Sequence, residues 1–446
     1  MAIKDMTKGN PLKLMIGFAI PMLIGNIFQQ IYNLVDTAIV GRFIGANALS
    51  AVGTTGSVLF FMTSAVIGLG NGAGIIIGQY FGIKNHKNLR SAVTSLFYIV
   101  LALTLFIAVF GTFASGTILR LLRVPEEILS ESKRYMQIIF QFSAGMTFYN
   151  AAAAILRSVG DSKTPLYTLA IGSVTNIVLD LVFVVGFHMG VEGAAYATVI
   201  SQILSGILCI LHIVRKRDAL FLTGIKLRPE KMMIWKIIKT GTPAAFQSSM
   251  ISLGGMCVQF LINSFGTAAM AAFAASSKID SIAIQVIVSI GTALSVFTSQ
   301  NMGAGNFDRI KAALRQTLVI MLAASGAIAL FVLIFHRFLL SIFLNPAEAP
   351  EAIRIGSTYL SIIGVAYLIA GVMQSYQNVI RGSGDVNTCM VAGFSELGAR
   401  LVFAYLLVLP FGLTGIWLAT PISWGFGCVI PVVRYYSGKW KQKRLV

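Results

Sequence analysis

Charge is what this chain has least of. Only 11% of its 446 residues are Asp, Glu, Lys or Arg, against 56% hydrophobic residues, and the mean hydropathy is +0.82. A soluble domain carries about 25% charged residues, so this composition excludes one. Acids are scarcer than bases, 16 against 34, which leaves a net charge of +18. Histidine and cysteine number four each. His86, His188, His212 and His336 are scattered near expected helix ends, with no nucleophile–base pair or metal-ligand cluster around them. The chain therefore does not read as an enzyme. Cys209, Cys257, Cys389 and Cys428 show no metal-like spacing and read as small hydrophobes in a helix bundle.

What fills the chain is long apolar runs. A bilayer crossing needs about 20 such residues, and runs of that order lie near 13–38, 50–78, 91–117, 134–156, 165–188, 191–214, 234–264, 268–298, 312–340, 355–380, 388–410 and 413–435. They predict an all-α integral membrane protein with twelve transmembrane helices. The first run follows Lys4, Asp5 and Lys8 but lacks a small-residue cleavage site, so it reads as a retained helix and not as a signal peptide.

The basic residues concentrate in alternate connections: Lys84, Lys87 and Arg90; Arg157 and Lys163; Arg215 to Lys239, including Lys226; Arg309 to Arg315; Arg381; and Arg434 to Arg444. Between them the connections are poor in charge or balanced, as where Arg120 and Arg123 meet Glu126, Glu127 and Glu131. This is the positive-inside pattern. It places both termini and the 215–239 connection in the cytoplasm, with the chain multi-pass in the cell inner (cytoplasmic) membrane. Without a contiguous basic face, no nucleic-acid partner is expected.

The chain is also one unit used twice. Arg157-Ser-Val-Gly160-Asp161 returns as Arg381-Gly-Ser-Gly384-Asp385, an offset of 224. Ile20-Pro21 matches Thr242-Pro243, and Gly78-Gln-Tyr-Phe-Gly82 matches Ser299-Gln-Asn-Met-Gly303. Six helices per copy, an even number, mean that both copies begin on the same face. Two pseudo-symmetric lobes related by an axis along the membrane normal follow, the parallel-repeat design of many secondary transporters. The expected division is an N-lobe over 1–214, a connection over 215–239 and a C-lobe over 240–446. Arg157, Gly160 and Asp161, with Arg381, Gly384 and Asp385, read as structural turns after helices 4 and 10. Pro21, which removes a backbone hydrogen bond from helix 1, is a hinge candidate.

An acid in mid-membrane costs roughly 2.5–3.5 kcal/mol on insertion scales, so the acids inside the runs point to function. In the N-lobe these are Asp36 and Asp180. Helical spacing sets Gln29, Tyr32, Asn33 and Asp36 on one face of helix 1, and Asn176 with Asp180 on one face of helix 5. Helix 6 adds Thr198. Two carboxylates among amide and hydroxyl oxygens can take a proton or a sodium ion. The C-lobe has no counterpart to either acid; it carries Glu396 and Arg400 on helix 11 and Lys278 with Asp280 on helix 8. Acid and base at these spacings predict internal ion pairs, with substrate contact as the rival role. Gln29, Asn33, Asn150, Lys278, Asp280, Gln374, Glu396 and Arg400 are the candidates for lining a cargo cleft between the lobes.

Taken together, Tyr32-Asn-Leu-Val-Asp36-Thr37 after a proline, the Gly78-Gln-Tyr-Phe-Gly82 turn, the doubled Arg-x-x-Gly-Asp and Asn176-x-x-x-Asp180 resemble the multidrug and toxic compound extrusion (MATE) transporters of prokaryotes, over essentially the whole chain. The resemblance implies antiport: entry of protons or sodium ions drives expulsion of amphipathic, often cationic compounds by alternating access. It matches Asp36, Asn176, Asp180, Thr198 and Tyr32 to an N-lobe cation site, with Na+ at Asp36 and Asp180 as the metal reading. Helices 7 and 10 carry Gln247, Ser249, Gln374 and Gln377 where members with a C-lobe cation site have acids. No cofactor beyond the coupling ion is implied, the partners are small molecules and the bilayer, and a monomer is expected. A flippase or exporter of a lipid-linked or other metabolite is the alternative. A major-facilitator transporter would show an Asp-Arg signature where this chain has Gly82-Ile-Lys-Asn-His-Lys-Asn-Leu-Arg90.

Overall fold

The computed structural model describes residues 4–122, 124–218, 220, 222–224 and 228–446, apart from the side chains at 46, 57, 251 and 252; Arg123 and Lys226 lie outside the described residues. Fourteen α-helices follow in order among them. They are α1 Pro11–Ile39, α2 Ala46–Gly82, α3 His86–Phe106, α4 Thr112–Leu121, α5 Glu126–Gln141, α6 Ala144–Ser158, α7 Lys163–Asp180, α8 Gly190–Arg215, α9 Lys231–Asn263, α10 Thr267–Gly303, α11 Phe307–Ser341, α12 Pro350–Gly382, α13 Val386–Phe411 and α14 Leu413–Tyr436. Eleven spans are long and apolar enough to cross a membrane, and the pair α5–α6, bent by 48°, makes a twelfth if counted as one span. The fourth predicted helix, 134–156, is thus two helices. The chain leaves the helix at Phe142 and re-enters it at Ala144.

Helix starts follow local chemistry. Asn10 Oδ1 accepts from the Leu12 and Lys13 amides at the head of α1, and Asn85 Oδ1 accepts from the Asn88 amide at the head of α3. Pro350 begins α12, where a missing N–H costs nothing.

The compact units do not end where the repeat does. One unit comprises residues up to Asp5 and Pro21–Ala245; the other comprises Met6–Ile20 and Phe246–Val446. The cuts fall inside α1 and α9, next to the matched prolines Pro21 and Pro243, and not in the 215–239 connection. The expected boundaries at 214 and 240 are displaced for a visible reason. In the second unit Gln300 Oε1 accepts from the Met6 amide at 2.9 Å, Asn301 Nδ2 donates to Met6 O at 3.0 Å, and Arg309 donates to Gly9 O and Met6 O. The end of α10 thereby holds the segment leading into α1. In the first unit Lys236 at the head of α9 donates to the Tyr80 hydroxyl at 3.2 Å. There Gly68 and Gly72 of α2 lie so close to the α9 backbone at Ala245 and Gly241 that neither position has room for a Cβ.

In the first unit α8 packs on α6 and α7, and α2 on α5 and α6. In the second, α12 touches α10, α11 and α14, and α13 pairs with α14. Within a largely aliphatic core there, Trp417 stacks on Phe273 and meets Tyr359 edge-on.

The doubled turn is built alike in both copies. The Gly160 and Gly384 amides bond to Arg157 O and Arg381 O, both at 3.0 Å, and the next amides reach back to Leu156 O and Ile380 O. Both glycines hold left-handed φ, +90° and +98°, which side chains rarely adopt. The acids that follow differ. Asp161 caps α7 through the Lys163 and Thr164 amides and the Thr164 hydroxyl, whereas Asp385 accepts from Arg434 Nε at 2.6 Å. Arg157 Nε donates to Ala153 O, while Arg381 donates to the side chains of Gln247 and Asn378.

Candidate cation-coupling site

Asp180 and Asn176 are fully buried within the first unit, four residues apart on α7. Asp36 and Tyr32 come from α1, and Thr198 from α8, all partly buried. The carboxyls of Asp36 and Asp180 face one another within hydrogen-bonding reach. Two ionised carboxylates offer only acceptors, so the pair bonds only when one of them holds a proton or when a cation lies between them. Among the described residues, neither acid has a base against it. Asp36 Oδ1, both oxygens of Asp180 and both amide atoms of Asn176 are buried without a hydrogen-bond partner. Unpaired buried polar atoms cost roughly 1–3 kcal/mol each, and so many at one point mark a site shaped for something else to complete it.

Three features of this site escape sequence reading. Tyr135 of α5 is buried beside Asp36, Asp180 and Tyr32, with its hydroxyl toward Thr198. Gln202 of α8 meets the Tyr32 hydroxyl. Their helices are legible, but only packing brings them to the acids. The third is π-helical geometry. α1 continues through a π-helical turn at Val40–Ile44 and α7 through one at Leu181–Gly186, so both acids stand within about a turn of a widened helix. The Gly45 and Phe187 amides close these turns on Val40 O and Val182 O, five residues back. Such turns are frequent at functional sites.

Gln29 and Asn33 are exposed on α1 while Tyr32 and Asp36 turn inward, so the predicted single polar face splits in two. Asn150 spends its amide on Met146 O. Gln374 Oε1 accepts from Asn378.

In the second unit Arg400 donates to Glu396 Oε1 at 2.8 Å and to Ser423 Oγ at 3.2 Å. Arg400 and Glu396 side chains are 12% and 10% exposed, so this is an internal ion pair. Lys278 and Asp280 form no pair, which corrects that expectation: two residues apart on a helix, they point to different sides. Asp280 instead accepts from the Tyr367 hydroxyl at 2.8 Å, and Lys278 is exposed.

With this geometry in view, the family profile MatE matches residues 21–182 and 243–406, one stretch in each half, and each begins at a matched proline. The chain is 30% identical over 438 residues to the probable multidrug resistance protein YoeA of Bacillus subtilis, covering 96% of this chain and 94% of that one. It is 24% identical to the multidrug export protein MepA of Staphylococcus saprophyticus, over 92% and 90% of the two chains. A solved outward-facing multidrug resistance MATE family transporter superposes with a TM-score of 0.91 at 23% identity, over 99% of this chain and all of that one. A Pyrococcus furiosus transporter whose binding pocket is described as reversed in polarity gives 0.91 at 22%, over 99% of each. This chain belongs to the MatE family. It is a multi-pass membrane transporter and not an enzyme.

Proposed function

We propose that this protein is a secondary antiporter that expels amphipathic, often cationic compounds in exchange for inward flow of protons or sodium ions. The observation that carries this reading is the facing pair Asp36 and Asp180, buried with unpartnered oxygens and no base. A proton shared between the carboxyls completes the site. So does a sodium ion with Asn176 and Thr198 supplying further oxygens, since a hard cation takes oxygen ligands. The names of the relatives, which are multidrug resistance and export proteins, support drugs as cargo.

Coupling then follows by linkage. Asp36 rides on α1, which passes from one unit to the other at Pro21. If the coupling cation favours one arrangement of α1 and cargo the other, each weakens binding of the other by the same factor. Pro21 supplies the bending point and Tyr135 positions Thr198. Glu396 and Arg400 hold the second unit together, and exposed Gln29, Asn33 and Lys278 remain the cargo contacts in this reading. The chain acts as a monomer with both termini cytoplasmic.

The test is efflux of a fluorescent cationic dye from proteoliposomes, with proton and sodium gradients imposed separately. One gradient should drive efflux. If neither moves the dye, the antiport reading fails and a lipid-linked or metabolite cargo takes its place.

A further inference from the structure

A cavity of about 770 Å3 opens in the second unit between the end of α11 and the start of α12. Arg337, Arg354, Ser357, Thr358, Ser361 and Pro350 contribute to its wall. Along α11, Arg337 is 28 residues beyond Arg309, or about 42 Å at about 1.5 Å per residue. Arg309 belongs to the end that holds Met6 and Gly9. The distance exceeds the roughly 30 Å hydrocarbon core, so the cavity sits at headgroup level on the face opposite the basic connections.

Its lining carries two arginines and no carboxylate. The carboxylate near Arg354 is Glu351, 3.6 Å away with both side chains more than half exposed. Glu348 is engaged by Asn345. Thr358 and Ser361 donate back into their own helix, to Arg354 O and Ser357 O. Ser357 Oγ is buried and has no partner. The Arg337 guanidinium and the Ser357 hydroxyl are therefore offered to an acceptor-rich anion, and Arg354, whose exposed pair with Glu351 is weak, can join them. Ile353 and Ile362 of α12 give the cavity an apolar lining, and Val365, one turn beyond Ser361 on the same helix, is more than half exposed. Charged donors at headgroup depth next to an apolar outer wall match an amphiphile, where a free anion would use only the donors.

We propose that this cavity binds the phosphate headgroup of an anionic phospholipid, with Arg337, Arg354 and Ser357 donating to the phosphate and the acyl chains lying along Ile353, Ile362 and Val365. The site is separate from Asp36 and Asp180 and does not depend on the antiport reading.

The experiment measures retention of phosphatidylglycerol and phosphatidylcholine by the purified full chain, by native mass spectrometry and by thermal shift with vesicles of each lipid. Each arginine near a membrane surface contributes about fivefold, so the wild type should favour phosphatidylglycerol by roughly thirtyfold. That preference should shrink with added salt and fall to near parity in Arg337→Gln/Arg354→Gln. Arg337→Lys/Arg354→Lys keeps the charge and should keep most of the preference, and Ser357→Val should weaken it alone. Equal retention of the two lipids by the wild type overturns the proposal without recourse to any variant. So does an unchanged preference in the double Gln variant. Inorganic phosphate that reproduces the full thermal shift at millimolar concentration would assign the cavity to a free anion and overturn the lipid.

Discussion

The two units bury charge in opposite ways. In the first, Asp36 and Asp180 face one another with no base, among unpartnered oxygens and amide atoms. In the second, Arg400 bridges Glu396 and Ser423, and Asp280 is answered by Tyr367. The backbones differ in step: π-helical turns interrupt α1, the α3–α4 junction and α7, while the described residues of the second unit have none. Duplication supplied two similar frames, and among the described residues the first leaves the facing acids Asp36 and Asp180 without a base. A buried charge that is already compensated stabilises a frame. One that is not compensated responds to what binds it.

Removing the uncompensated acids should have the largest effect. Asp36→Asn or Asp180→Asn should reduce gradient-driven dye efflux to the level of empty liposomes while the protein still inserts and purifies as a folded chain. Normal export by both variants would end the case for the first unit as the coupling site.

Next in size is the compensated pair. Arg400→Met leaves Glu396 buried alone and should destabilise the protein by about 3–5 kcal/mol, read as a lowered unfolding midpoint in detergent. Glu396→Gln with Arg400→Met should recover much of that loss. A midpoint unaffected by Arg400→Met would mean that the pair is no structural clamp. Tyr367→Phe removes one hydrogen bond to Asp280 and should cost about 1.5–3 kcal/mol by the same measurement.

The doubled turn gives the finest contrast. Asp161→Ala removes a helix cap and should cost about 0.5–2 kcal/mol. Asp385→Ala should cost more, because Arg434 is left without its carboxylate. Equal losses would show that the two acids serve one role despite their different partners.

Much of the frame is legible before folding. Apolar runs announce spans because the bilayer core offers no partner for backbone groups, and the matched prolines and turn glycines announce the repeat. Asp36, Asn176 and Asp180 stand out because acids and amides in apolar runs are costly. Tyr135 and Gln202 do not stand out, since a tyrosine or glutamine on a helix looks ordinary until packing sets it against an acid. The pairing assumed for Lys278 and Asp280 failed for a related reason: nearness in sequence is not nearness across a helix, and Tyr367 from another helix reached Asp280 instead.

By itself, then, the sequence determined the solvent, the number of apolar runs, the twofold repeat and which acids must be explained, because these depend on composition and local spacing. The tertiary structure decided which acids meet, which are answered by a base, that α1 and α9 each belong to two units, and where the helices widen into π-helical turns. Those outcomes depend on contacts between residues far apart in the chain, such as Met6 with Gln300 and Asp36 with Asp180, and no local pattern encodes them.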